Sequence, residues 1–160
     1  MTWAASARAS RCTGSSSPAL CATARSPLTS FVLTYPDGAH NSETLLVHPT
    51  TLRIYVVTKQ LSGAAIYAAP TTLSTTAPNR LTKVASAPSG LKLSDGAFLD
   101  DGRLLLRGYE RAFLYSSIGA TPRYFGLPQS GESITPGFAA GTFYTGSEGR
   151  YSNVWSVRIP

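Results

Sequence analysis

Three stretches of this chain run through the same order of events. An acid leads into a short apolar run in Glu43-Thr-Leu-Leu-Val47, in Asp95-Gly-Ala-Phe-Leu99 and in Glu132-Ser-Ile134. Each is followed by a turn ("HPTTLR", "DDGR", "TPGFAAG") and a second apolar run ("IYVVTK", "LLLRGY", "TFYTGS"). A third follows ("AAIYAAP", "AFLYSSI", "NVWSVRIP"), and the first two units add a fourth, "RLTKVASAP" and "PRYFGLP". Lys59 precedes Tyr67 by 8, Arg107 precedes Tyr115 by 8, and Ser147 precedes Trp155 by 8. Four short strands recurring every 40–50 residues or so mark the blade of a β-propeller. Asp100-Asp101-Gly102 supports the hairpins, because Gly accepts the left-handed backbone of a tight turn.

The strand count predicts an all-β partial propeller of about three four-stranded antiparallel blades. Residues 37–88 and 89–128 form two full blades, and 129–160 form a third without its outer strand. An orphan outer strand, "SFVLTYP", stands ahead of them, which makes twelve strands. Propellers close with about 4–8 blades, so about half a ring is expected, with open sheet edges that favour self-association. An all-β sandwich is the alternative. The expected core is Leu45, Val47, Ile54, Val56, Phe98, Leu104, Leu106 and Tyr115.

Charge argues against nucleic acid as a partner. The net charge of +6 includes Arg8, Arg11 and Arg25 in an acid-free first thirty residues, leaving 11 basic and 8 acidic side chains beyond them. Those basic residues are dispersed and cannot track a phosphate backbone. No run of about 18 apolar residues marks a membrane span.

Residues 1–30 read differently from the rest. They lack Val, Ile, Phe, Asp, Glu and Lys, and they show no strand or helix period. Disorder is expected there, and a GC-rich gene read out of frame would produce such an Ala/Arg/Ser/Cys mixture. Cys12 and Cys21 lie inside this segment and carry no information about a metal or a redox compartment.

"YPDGAHNSETLLVHPTTLRIYVVTK", "DGAFLDDGR" and "GESI…GSEG" resemble bacterial, actinobacterial-type propeller proteins. They are similar to the esterase-like-activity-of-phytase propellers and to other six- or seven-bladed bacterial families, over about residues 29–160. The resemblance implies the fold strongly and the activity weakly, because one fold hosts many functions. Full-length relatives are often exported, although no export signal is visible in this sequence.

In a propeller the inner strand begins at the top of the central channel and the second strand returns there. Glu43, Asp95 and Glu132 are therefore expected on the top face, with Lys59 and Arg107 flanking them. Converging carboxylates suit Ca²⁺ or Mg²⁺. Lys59 and Arg107 suit an anionic group instead, and a carboxylate so placed also suits backbone N–H donors of the next loop. His40 is a further candidate ligand, set in a loop. His48 reads as structural and Asp37-Gly38 as a turn. Tyr67, Tyr115 and Trp155 read as blade core. Gly146-Ser147-Glu148-Gly149 lacks the spacing of a nucleophile elbow.

Together these residues favour a binding or scaffold module for a small molecule or protein, with a polar and cation-capable top-face site. A metal-assisted phosphate or carboxylic ester hydrolase is the alternative, and a non-functional truncated product is the third reading.

Overall fold

The computed structural model describes residues 28–90 and 92–160. The expected disorder of residues 1–30 and the pairing of Cys12 with Cys21 fall outside the described residues, apart from residues 28–30. The described residues are all strand, turn and loop, and none forms a helix long and apolar enough to cross a membrane.

Thirteen strands form among them. They are β1 (Leu33–Thr34), β2 (Ser42–Val47), β3 (Ile54–Thr58), β4 (Ala65–Ala68), β5 (Asn79–Arg80), β6 (Thr82–Ser86), β7 (Asp95–Phe98), β8 (Leu104–Arg107), β9 (Arg111–Tyr115), β10 (Arg123–Gly126), β11 (Ser133–Pro136), β12 (Thr142–Gly146) and β13 (Trp155–Arg158). Two sheets have four strands, in the orders β2-β3-β4-β6 and β7-β8-β9-β10, and a third has β11-β12-β13. All three are antiparallel meanders. Inner strand β7 packs between β2 and β11, so the architecture is a partial, propeller-like stack of blades.

The strand beyond the twelve expected is β5. β1 is not a detached edge: it pairs in parallel with β5, in the register Leu33↔Asn79 and Thr34↔Arg80. The thirteen-residue connection from Ala69 to Leu81 makes this possible, because Asn79 ties it down. Its side-chain amide donates to the carbonyls of Val32 and Ser74, and its Oδ1 accepts from Ser74 N.

Strand alternation puts one apolar set on each face of a blade. Leu46, Tyr55, Val57, Ile66 and Ala68 of the first blade meet Phe98, Leu104, Leu106, Phe113 and Tyr115 of the second in one buried cluster. Leu105, Ala112 and Leu114 on the other side of the second blade meet Ile134 and Phe143 of the third. Gly96 permits the closest approach: a Cβ there would lie 2.6 Å from Leu106 and 3.2 Å from Thr44 on the neighbouring inner strand.

Part of the expected core needs correction. Phe98, Leu104, Leu106 and Tyr115 are buried, but Leu45 is 66% and Val47 51% exposed. Ile54 and Val56 are only half-buried. All four point away from the second blade, towards the place of a preceding blade that the described residues do not supply. Tyr67 and Tyr115 are core side chains, whereas Trp155 is 39% exposed. Trp155 pairs with Thr145, while Tyr67 and Tyr115 pair with Val56 and Leu104, so equal spacing does not make it their counterpart. In that position β13 carries Val157, opposite Phe143.

Candidate functional site

The start of each inner strand lies against the end of the second strand at one end of the stack, which is the top face. Ser42 pairs with Thr58, Asp95 with Arg107 and Ser133 with Gly146. The acids and bases singled out in the sequence therefore share this end, but each is engaged separately.

Asp95 is a clamp between blades. Its Oδ2 accepts from Ile134 N of the third blade at 2.8 Å, and its Oδ1 accepts from Gly96 N at 2.8 Å. Burial pushes its carboxyl above the usual range, against the pull of those two bonds and of the Arg107 charge. Arg107 is fully buried. Its Nε donates to Gly131 O at 2.9 Å, Nη1 to Ser133 O at 3.2 Å, and Nη2 to Tyr109 O at 3.3 Å and Gln129 O at 3.1 Å. Burial draws the guanidinium down from its ordinary value, while Asp95 and Glu132 support its charge. A Cβ on Gly131 would lie 2.6 Å from Nη2 and would also strike the Gly146 carbonyl. Gly131 is thus the residue that lets the guanidinium enter the third blade. Arg107 has no spare donor aimed at solvent and is a structural bolt, not the anion ligand the sequence allowed.

Glu43 stands at a register shift between Ser42 and Thr44, which turns it outward. It accepts from Lys59 Nζ at 2.6 Å, with the lysine side chain 15% and the glutamate 39% exposed. Lys59 also donates to Tyr109 Oη at 3.3 Å and lies 5.3 Å from the centre of that ring. Burial alone would draw the ammonium down, but Glu43 and Tyr109 outweigh it and hold Lys59 above its ordinary value.

The expected cation arc therefore does not form. Glu43 is spent on Lys59, Asp95 on backbone N–H groups, and half-buried Glu132 lies within reach of the Arg107 charge. Among the described residues no group of three or more His, Cys, Asp or Glu side chains is arranged to hold a metal. The physical reason is competition: buried donors claim a carboxylate before a hydrated ion can.

His40 also leaves this site. Its Nε2 faces Asp37 Oδ1 at 2.8 Å and the Tyr67 hydroxyl at 3.2 Å, and the Tyr67 hydroxyl donates to Asp37 Oδ2 at 2.7 Å. A carboxylate only accepts, so Nε2 carries the proton. Nδ1 is buried and finds no partner among the described residues. The ring stands 4.8 Å from Tyr35 and 5.3 Å from Tyr67, centre to centre, and Tyr35 and Ser42 share a 2.6 Å hydroxyl contact. This clasp pins residues 35–42 to β4. Hydrogen bonds from Tyr67 and His40 hold the Asp37 carboxyl below its usual range, and burial with the Asp37 bond pushes the Tyr67 hydroxyl up to about 12.

What remains open at the top is a cleft of about 350 Å³ between the first two blades, lined by Asn41, Lys59, Gln60, Leu61, Lys92 and Tyr109. A second hollow of about 290 Å³ shares Lys92 and Tyr109 and reaches Arg111. Lys92 Nζ lies 5.8 Å from the centre of the Tyr109 ring, so one tyrosine carries two ammonium groups. Lys92 holds a left-handed backbone, with φ at 46°, which is uncommon for a residue with a side chain. Sequence reasoning missed Lys92, Tyr109 and Asn41. Lys92 and Asn41 lie in connections outside the strand repeat, whereas Tyr109, two residues past Arg107 at the end of the run "LLLRGY", had a signal to follow. No family model, curated protein or solved structure matches this chain.

Proposed function

We propose that this chain is a binding module whose cleft between the first two blades receives a small anionic ligand, a carboxylate or phosphate, on Lys59 and Lys92. The observation that carries this reading is the pair of ammonium groups on one tyrosine ring, at 5.3 and 5.8 Å. Lys92 has no ion pair among the described residues, so it can accept an incoming charge without losing one. Lys59 is held in place by Glu43 and Tyr109, which lowers the ordering cost of binding. Asn41 and Gln60 add amide donors at the rim, and Tyr109 supplies a flat wall for the ligand's apolar part. The same arrangement speaks against a bound divalent cation, which two ammonium groups would repel.

Titration calorimetry with inorganic phosphate and with a dicarboxylate tests this. Binding is expected for at least one of them, and Lys92→Met and Lys59→Met should each weaken it by about tenfold, the loss of one charge-assisted bond. Binding unaltered in both variants would sink the proposal. Turnover of aryl or phosphate esters, dependent on added Ca²⁺, would favour the hydrolase reading instead.

A further inference from the structure

Lys59 divides its protons between the chain and whatever enters the cleft. An ammonium group has three to donate. One goes to Glu43 Oε2 at 2.6 Å and one to Tyr109 Oη at 3.3 Å, which leaves one for a bound anion. Tyr109 Oη accepts in its bond with Lys59 and keeps its own proton for an acceptor in the cleft. Lys92 adds a second ammonium beside the same ring. Asn41 and Gln60 carry amides, which both donate and accept. Glu43 only accepts. Lys59 takes one of about four lone-pair sites on its carboxylate, and the glutamate side chain is 39% exposed, so acceptor sites stay open at the rim.

This carboxylate constrains what Lys59 can bind. An oxygen held by the third Lys59 proton lies about 4–5 Å from the Glu43 oxygen, because both sit at hydrogen-bond distance on one tetrahedral nitrogen. Two bare oxyanions repel each other at that range. The contact becomes attractive when the ligand carries an O–H beside its charged oxygens, since that hydrogen can be donated to Glu43. The local charge agrees. Two ammonium groups against one carboxylate leave a single net positive charge, and Glu110 and Arg111 at the neighbouring hollow add one of each sign. A singly charged anion with its own hydroxyl matches this set.

We infer that Glu43 is the specificity-determining residue of the cleft, and that it selects anions carrying their own O–H, as hydrogen phosphate and α-hydroxy carboxylates do, over fully deprotonated anions of the same shape. This selection presupposes the anion site proposed for the cleft. Glu43 then acts twice: it fixes Lys59 in the empty cleft and receives the ligand's hydroxyl in the filled one. A site that pairs with a hydroxyl rejects the analogue lacking it, because two facing acceptors are both left unpaired.

Titration calorimetry near neutral pH with two matched pairs tests this. Sulfate has the shape of phosphate and no proton, and propionate lacks only the hydroxyl of lactate. Phosphate, lactate or both should bind about tenfold or more tightly than the matched anion, and the pair that shows the ratio identifies the oxyanion the cleft takes. Glu43→Gln should bring that ratio close to one by raising the affinity for sulfate or propionate, because the amide offers a donor and no charge. A merely structural glutamate would instead lower both members of a pair together, and that result overturns the inference. Sulfate and propionate binding to the unaltered protein as tightly as phosphate and lactate would also overturn it, while leaving the anion site in place. Binding of none of the four would sink the anion site and the selection together.

Discussion

Asp95 with Arg107 and Glu43 with Lys59 occupy corresponding places in successive blades: an acid leads the inner strand and a base ends the second. The outcomes are opposite. Arg107 is fully buried with its donors on four carbonyls, and Asp95 takes two backbone N–H groups. Lys59 and Glu43 pair with each other at the rim of a cleft. The neighbour makes the difference. The third blade offers Arg107 a glycine at 131 and a ring of free carbonyls. Lys59 meets a tyrosine ring at the second blade instead, and its shorter inventory of donors leaves part of the ammonium facing open space. A planar guanidinium can satisfy a buried carbonyl cage, whereas an ammonium is more strongly hydrated and keeps to the edge.

The sharpest way to break this comparison is Arg107→Ala. It removes the bolt, leaves the carbonyls of Gly131, Ser133, Tyr109 and Gln129 without their donor, and takes away the charge that supports the Asp95 carboxylate. The expected loss is about 3–5 kcal/mol, since each buried acceptor left unpaired costs about 1–3 kcal/mol, read as a fall in the denaturant midpoint. A loss under about 1 kcal/mol would place Arg107 in the same class as Lys59.

Asp95→Ala should cost about 1–3 kcal/mol, because Ile134 N and Gly96 N lose their acceptor. Asp95→Asn should cost less. It keeps an acceptor for Ile134 and sheds the burial penalty that pushes the carboxyl upward. The sign follows: a carboxyl raised in the fold favours the native state at pH below about 3.8, and that favour is lost as pH rises through the folded value. If Asn and Ala cost the same, the clamp does not work through acceptance at Ile134.

The Tyr67 clasp is a polar cluster of intermediate strength. Tyr67→Phe removes the bond to Asp37 at an expected cost of about 1 kcal/mol. Burial holds Tyr67 and Tyr115 both up to about 12. Their contribution is fully present below about pH 10 and is lost as pH rises from 10 towards 12. Ultraviolet titration should show Tyr67 and Tyr115 ionising near pH 12, and Tyr67→Phe should lessen the alkaline loss. Ionisation of Tyr67 near pH 10 would refute the clasp.

The smallest stability effect belongs to the rim pair. Glu43→Gln should change stability by less than about 1 kcal/mol, as partly exposed ion pairs do, and the change should shrink in high salt. An effect as large as that of Asp95→Ala would show that the two acids play one role after all.

Much of the fold was legible in the chain. The acid-led strands, the Asp101-Gly102 turn, the four-strand period and the short third blade depend on local alternation and turn chemistry, which neighbouring residues settle among themselves. His48 was legible for the same reason: its Nδ1 caps Thr50 N and Thr51 N of its own turn. The parallel seat of β1 on β5 was not, since it joins residues 46 apart.

The site divided along the same line. Sequence alone put Glu43, Lys59, Asp95 and Arg107 on one end of the blades. Which became a bolt, which a rim pair, and which acids were withdrawn from a shared cation arc was decided only by packing. A carboxylate's partner depends on the donors the next blade brings within about 3 Å, and no local pattern specifies those. Lys92 and Tyr109 show the same limit from the other side. They belong to connections between strands, and only the stacking of two blades brings both ammonium groups onto one ring.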